Sequence, residues 1–266
     1  MHLKRWLTSL VLIPLLFLIL LKGTTLLFSA FVSVITLIAM TEYFTIISCS
    51  GKIPLKIKII GLLTCLGIIA SAHVGSFGII MGILTFYIIV ISIIILGNFS
   101  LESSILDIVA KQIQGIIYIP VFLSFFVFIR NSENGIIWII WIWLIIASSD
   151  TGAYYYGTFF GKKPLLPNIS PNKTIEGAIG GIVASLIAGL IFSSIFIPEI
   201  FIINRIIFIL IACIAGQIGD LFESALKRAG KIKDSGNILP GHGGILDRLD
   251  GLIFALPITY FFKYLV

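Results

Sequence analysis

"FGIIMGILTFYIIVISIIILG", residues 77–97, contains no charged side chain. A helix needs roughly 20 apolar residues to cross the ~30 Å hydrocarbon core of a bilayer, so the stretch reads as a membrane span. Working outward, runs of the same kind recur at 7–21, 25–48, 57–73, 113–129, 135–149, 177–197, 203–221 and 251–265, separated by polar breaks. The run 135–149 is short for a full crossing and can continue past Asp150. Composition agrees: of 266 residues 59% are hydrophobic and 11% charged, against roughly 45–50% and about 25% in soluble domains. The expected fold is an all-α, polytopic integral membrane protein of about nine transmembrane helices, with little room for a soluble domain.

Lys4 and Arg5 precede the first run, but no small-residue cleavage site follows Leu21 and a second span begins at once, so a retained helix is expected rather than a signal peptide. Basic residues favour cytoplasmic loops. With the N-terminus cytoplasmic and the C-terminus on the outer side, fourteen of the 18 basic residues lie inside; Lys22, Arg130, Arg205 and Lys263 lie outside. The same bias explains much of the net charge of +6, so no nucleic acid partner is needed. Cys49, Cys65 and Cys213 sit in or beside apolar runs without a CxxC pair, suggesting neither a disulfide framework nor a zinc site. Gly177 to Gly181 forms a G-x-x-x-G followed by Ala184 and Ala188, a small-residue stripe expected to let helices approach closely.

Residues 1–140 read as transmembrane helices without a motif. Residues 141–266 read as the catalytic region, with two chemically rich cytoplasmic loops, 148–177 and 220–251. In the second, Asp220, Glu223, Ser224 and Lys227 share one helix face at the inner end of a span. An ionised carboxylate at the end of an apolar run is costly and marks a functional candidate. Asp247 and Asp250 stand three apart before the last span, and a helix starting by Ile245 would project both from one face. Clustered carboxylates repel unless a cation lies between them, and hard oxygen ligands beside substrate phosphates suit Mg2+. Asp220, Glu223, Asp247 and Asp250 could then converge on a metal site that handles phosphate. Lys227, Arg228, Lys231, Lys233 and Arg248 supply more positive charge than these need, which implies an anionic ligand.

Between them, "LPGHGG" at 239–244 forbids a helix and turns backbone N–H groups into a concavity that can cradle phosphate. His242 within it has three readings: a proton donor to a leaving phosphate, a hydrogen-bond donor that positions substrate, or a loop residue satisfying a nearby carbonyl. In the first loop Asp150 ends a span, Gly152, Gly157 and Gly161 surround "YYY", and "SPNKT" at 170–174 precedes the next span. Pro171 to Thr174 could begin a helix whose free N–H groups favour an anion. Capping by Ser170 or Asn172, and a tyrosine belt at the interface, account for some of the same residues.

Ser224, Leu226, Lys227, Arg228, Lys233, Asp234, Gly236, Leu239, Pro240, His242, Gly243, Gly244, Ile245, Asp247, Arg248, Leu249 and Asp250 together resemble the signature of the phosphatidate cytidylyltransferase family. "SDTGAYYYG" and "SPNKTIEG" are similar to its upstream motifs, so the resemblance runs from Ser148 to Gly251. It implies transfer of the cytidylyl group of CTP to phosphatidate, giving CDP-diacylglycerol and pyrophosphate for phospholipid synthesis, with Mg2+ and room for a second cation. On that reading Asp220, Lys227, Asp247, Arg248 and Asp250 are catalytic, and Asp220, Asp247 and Asp250 hold Mg2+ against the CTP phosphates. Asp150, Ser170, Asn172, Lys173, Thr174, Ser224, Arg228, Lys233, Asp234, His242, Gly243 and Gly244 contact the phosphates of nucleotide and lipid. The resemblance also implies a bacterial inner membrane, an active site facing the cytoplasm and compatibility with a homodimer. The competing readings are another lipid-phosphate transferase or a lipid kinase, and a cation-coupled transporter.

Overall fold

The computed structural model describes Pro14 and residues 16–48, 53–97, 105–238 and 243–266. Most of the first expected span, Cys49 and His242 therefore lie outside the described residues. The helices are α1 (Thr25–Ser48), α2 (Leu55–His73), α3 (Phe77–Leu96), α4 (Ile105–Ile116), α5 (Phe122–Asn131), α6 (Gly135–Phe160), α7 (Ile175–Phe196), α8 (Ile202–Ala229) and α9 (Leu246–Lys263). Among the described residues, seven segments are long and apolar enough to cross a membrane: α1, α2, α3, Asp107–Asn131, α6, α7 and α8. The chain is a polytopic all-α membrane protein, with one short hairpin, β1 (Pro164–Leu166) and β2 (Ser170–Thr174).

The chain divides into two compact units, residues 1–131 with 229–247, and residues 132–228 with 248–266. In the first, α1, α2, α3 and α5 pack on one another. Glycines set the closest approaches. A Cβ on Gly61 would stand 2.7 Å from the Phe44 ring, and one on Gly115 would stand 2.4 Å from Tyr43. The Tyr43 hydroxyl, brought close in this way, donates to the Lys111 carbonyl at 2.8 Å. A π-helical turn, Ile117–Val121, joins α4 to α5 and contains Pro120. Proline has no N–H to give the helix ladder, and the widened turn accommodates its ring. Arg130 at the end of α5 donates to the carbonyls of Leu20 and Gly23, each at 3.2 Å.

In the second unit α6 and α7 pack along their length, and the expected small-residue stripe is the reason. A Cβ on Gly180 would lie 2.3 Å from Tyr156 Cβ, one on Gly181 would lie 2.8 Å from the Ser149 carbonyl, and one on Gly152 would lie 2.5 Å from Ala184 Cβ. Ser185 Oγ and Trp141 Nε1 then reach across to the Ile145 and Gly189 carbonyls at 2.9 and 3.0 Å. Trp138, Trp141 and Phe208 stack with centroids 4.6 to 5.4 Å apart. The turn between α7 and α8 is closed by Arg205, which donates to Ile200 O, Pro198 O and Ser194 Oγ.

As the sequence allows, α6 continues past Asp150 through residues 150–160, so Asp150 stands mid-helix rather than at the end of a span. At about 1.5 Å per residue, the 26 residues of α6 and the 28 of α8 exceed what a bilayer core requires, and their polar ends project beyond the apolar stretch. "SPNKT" is a strand rather than a helix start: Pro171 pushes Ser170 toward extended backbone, and β2 pairs antiparallel with β1, Pro164 opposite Thr174 and Leu166 opposite Ser170. The cap of α7 is Thr174, whose Oγ1 accepts from Gly177 N at 3.0 Å, in place of Ser170 or Asn172.

Candidate active site

The second unit holds a cavity of about 460 Å3. α6 contributes Ser149, Asp150, Ala153, Tyr154, Gly157 and Thr158; the hairpin contributes Leu165, Ser170, Asn172, Lys173 and Thr174; α7 contributes Gly177 and Ala178; α8 contributes Gln217, Asp220 and Leu221. Glycines again make the geometry, because a Cβ on Gly177 would sit 2.9 Å from the Ala153 carbonyl. The hairpin is held over the α7 N-terminus by Glu176, whose carboxylate accepts from the backbone N–H groups of Lys162 and Lys163 at 3.0 and 3.1 Å.

The charged lining comprises Asp150, Lys173 and Asp220. The Lys173 ammonium forms an ion pair with Asp220 Oδ2, both side chains being about one third exposed. On α8, Gln217 lies one turn before Asp220 and so shares its face. Its amide donates to the Ala178 carbonyl at 3.1 Å and to Ser149 Oγ at 3.3 Å, which fixes the side of α8 that meets α6 and α7. Cys213 Sγ also reaches Ser149 Oγ, at 3.3 Å.

Asp250 joins this group from α9. A Cβ on Gly219 would lie 2.4 Å from the Asp250 carbonyl, so that glycine lets α9 come against α8 directly beside Asp220. The charges of Asp220, Asp150 and Lys173 all act on Asp250, and those of Asp220 and Lys173 act on Asp150. Three carboxylates and one ammonium thus share one electrostatic neighbourhood. Among the described residues, however, no three His, Cys, Asp or Glu side chains converge to metal-binding distance. The donor chemistry still fits Mg2+, which typically takes one or two carboxylates and completes its shell with water and substrate phosphates.

Other expected residues stand as follows. Ser224 is half-buried on α8 and Arg248 is exposed in the first turn of α9. Lys227 pairs with Glu223, which is fully buried, and Arg228 Nε donates to the Ile169 carbonyl in the hairpin turn at 3.2 Å. Both basic residues are therefore steadied at the end of α8. In the first unit, Lys233 and Asp234 are exposed. Asp247 Oδ2 accepts from Ser235 N at 3.0 Å and from Gly244 N at 2.8 Å, which organises the turn around Gly244. Gly243 has φ 84°, a left-handed conformation that glycine adopts without cost.

Three further polar residues with structural partners carried no motif. Gln217 could have been found from its place three residues before Asp220. Glu223 stood in the same helical stripe, and the mild signal was a carboxylate set four before Lys227. Glu42 is a single acid inside the apolar run of α1, and its carboxylate accepts hydrogen bonds from Ser235 Oγ and from the Ile245 and Leu246 N–H groups.

Comparison with known proteins agrees in direction. Residues 3–266 match the sequence model of the Cytidylyltransferase family. The chain is 35% identical over 267 residues to the phosphatidate cytidylyltransferase of Staphylococcus aureus (strain COL), covering 96% of each chain. It is 44% identical over 146 residues to that of Bacillus subtilis (strain 168), where the alignment spans 54% of each chain. With that of Staphylococcus haemolyticus (strain JCSC1435) it shares 41% over 145 residues, 51% of this chain and 52% of the relative.

Proposed function

The chain belongs to the cytidylyltransferase family, and we propose that it joins CTP to phosphatidate in the cavity between α6, the hairpin, α7 and α8. The products are CDP-diacylglycerol and pyrophosphate. A bond forms between the lipid phosphate oxygen and the α-phosphorus of CTP, and the α–β phosphoanhydride breaks. The second pKa of a phosphate monoester lies near 6, so the lipid phosphate is largely dianionic at neutral pH and attacks without a general base. What remains for the protein is to align two polyanions and to offset the charge that builds on the departing pyrophosphate.

The observation that carries this reading is the Lys173–Asp220 ion pair in the cavity wall, with Asp150 beside it. An anionic nucleotide offers Lys173 a second partner and frees Asp220 to face a cation. Asp220 and Asp250 are the residues of this unit that would hold Mg2+, with Asp150 in the same field, and a second cation is compatible with that acidity. Mg2+, when bound, supplies neutralisation of the phosphate oxygens as pyrophosphate leaves. Lys173, Lys227, Arg228 and Arg248 are the cations assigned to nucleotide and lipid phosphates, with Ser170, Asn172, Thr174 and Ser224 as neutral donors. Asp247 enters the catalytic set through its hydrogen bonds from Ser235 N and Gly244 N, and Lys233, Asp234, His242, Gly243 and Gly244 are assigned to the substrate phosphates.

The basic residues support nine spans, a cytoplasmic N-terminus and a cytoplasmic active site in a bacterial membrane, and the assembly is proposed as a homodimer. In the test, the purified full chain in detergent is given phosphatidate with CTP or ATP, with and without Mg2+. CDP-diacylglycerol and pyrophosphate are expected with CTP and Mg2+ only. Pyrophosphate release with ATP but not CTP, or transfer of a terminal phosphate, would overturn the assignment in favour of a different lipid-phosphate enzyme.

A further inference from the structure

Glu42 lies in a part of the chain to which the site assigns nothing. It is on α1, between Met40 and the buried pair Tyr43 and Phe44, and is only 4% exposed. A carboxylate in such a place is costly unless its oxygens are fully engaged. Among the described residues no lysine or arginine is within ion-pair distance of it. Its partners are three neutral donors from a segment about 200 residues later: Ile245 N to Oε1 at 2.9 Å, Leu246 N to Oε2 at 2.8 Å, and Ser235 Oγ to Oε2 at 3.0 Å.

The two N–H groups belong to the very start of α9, where a helix leaves its first donors without internal acceptors and presents the positive end of its dipole. Glu42 therefore caps α9 from another helix. The fit is close enough to dictate two neighbouring glycines. A Cβ on Gly236 would lie 2.6 Å from Glu42 Oε1, and one on Gly244 would lie 2.6 Å from Oε2 and 2.1 Å from Ser235 Oγ. One turn further along α1, a Cβ on Gly230 would lie 2.8 Å from the Ile46 carbonyl. The same segment is cross-tied by Asp247, which accepts from Ser235 N and Gly244 N.

We infer that Glu42 is a positioning residue for the cytidylyl transfer: its carboxylate holds Ser235 and the Ile245–Leu246 start of α9 against α1, and with them the adjoining Asp247. The catalytic half of this inference rests on the proposed function, whereas the structural half does not. Glu42→Gln keeps the shape but turns an N–H2 toward an N–H or O–H donor, so one side of the cap must open. Ser235→Ala removes one of the three donors without disturbing a buried charge.

The test combines amide hydrogen exchange with kinetics on the full chain in detergent. In Glu42→Gln, exchange at Ile245 and Leu246 should rise at least about tenfold while α6 and α7 stay unchanged, and kcat should fall at least about tenfold, ~1.4 kcal/mol of barrier, with KM for CTP within about threefold. Ser235→Ala should move both readouts in the same direction by less. Unchanged exchange at 245 and 246, an unaffected kcat, or a uniform rise in exchange across the chain would overturn the inference. Should Glu42→Gln not fold, Ser235→Ala decides by the same two readouts. If the unmodified chain fails to make CDP-diacylglycerol, the proposed function has failed, and the exchange experiment still decides whether Glu42 holds the segment.

Discussion

Asp220 faces a cavity, and its partner Lys173 comes from a hairpin rather than from its own helix. Both side chains are about one third exposed, and such pairs contribute only about 0–1 kcal/mol to stability. Asp220→Asn should therefore leave the thermal midpoint within a few degrees while lowering CDP-diacylglycerol formation at least about a hundredfold, ~2.7 kcal/mol of barrier; paired melting and turnover assays check this. Asp247→Asn should fall below about a tenth of the activity, because with its oxygen in the place of Oδ2 the amide turns an N–H2 toward Ser235 N, which the second carboxylate oxygen now accepts from at 3.3 Å. Retained activity would remove Asp247 from the machinery. Asp220 was legible in the sequence because a charge closing an apolar run is expensive, and helical spacing tied it to Glu223 and Lys227. Glu42 was equally expensive, yet two of its three donors are backbone N–H groups roughly 200 positions away, and backbone donors leave no trace in residue identity.

Among the elements, the α6–α7 contact and the hairpin place the cavity wall. Gly180→Leu puts a branched side chain where a Cβ alone would already meet Tyr156 at 2.3 Å. Overpacking of this kind costs about 1–3 kcal/mol, so the variant should unfold earlier and lose activity together, as a melt followed in detergent would report; an unchanged melt would mean that the two helices can part without penalty. Glu176→Gln should loosen the hairpin instead, raising amide exchange at Lys162 and Lys163 without shifting the global melt. The helices themselves were visible in the apolar runs, and G-x-x-x-G announced a close approach. The hairpin was not, because a three-residue strand against a proline-containing one gives no alternating pattern, and "SPNKT" carries the residue types of a helix start. The cap, Thr174, lies within the motif, but Ser170 and Asn172 beside it are equally good capping residues, so identity alone does not single it out.

At the scale of the whole molecule, the chain is a polytopic membrane enzyme, and its proposed orientation makes a prediction for each loop. With Cys49 replaced, Lys162→Cys and Lys231→Cys should react with an impermeant thiol reagent from the cytoplasmic side only, and Glu199→Cys from the outer side only. Cys65 and Cys213 are buried and should stay silent. Labelling of 162 and 199 from the same side would remove the proposed orientation. The central claim, that CTP occupies the cavity lined by Asp150, Lys173 and Asp220, is tested most directly at Thr158, an exposed lining residue with no assigned phosphate contact. The measurement is the rate of thiol labelling of Thr158→Cys with and without CTP and Mg2+. A slowing of at least about fivefold by CTP, with no effect at Glu199→Cys, is predicted; equal rates at Thr158→Cys with saturating CTP would contradict the account.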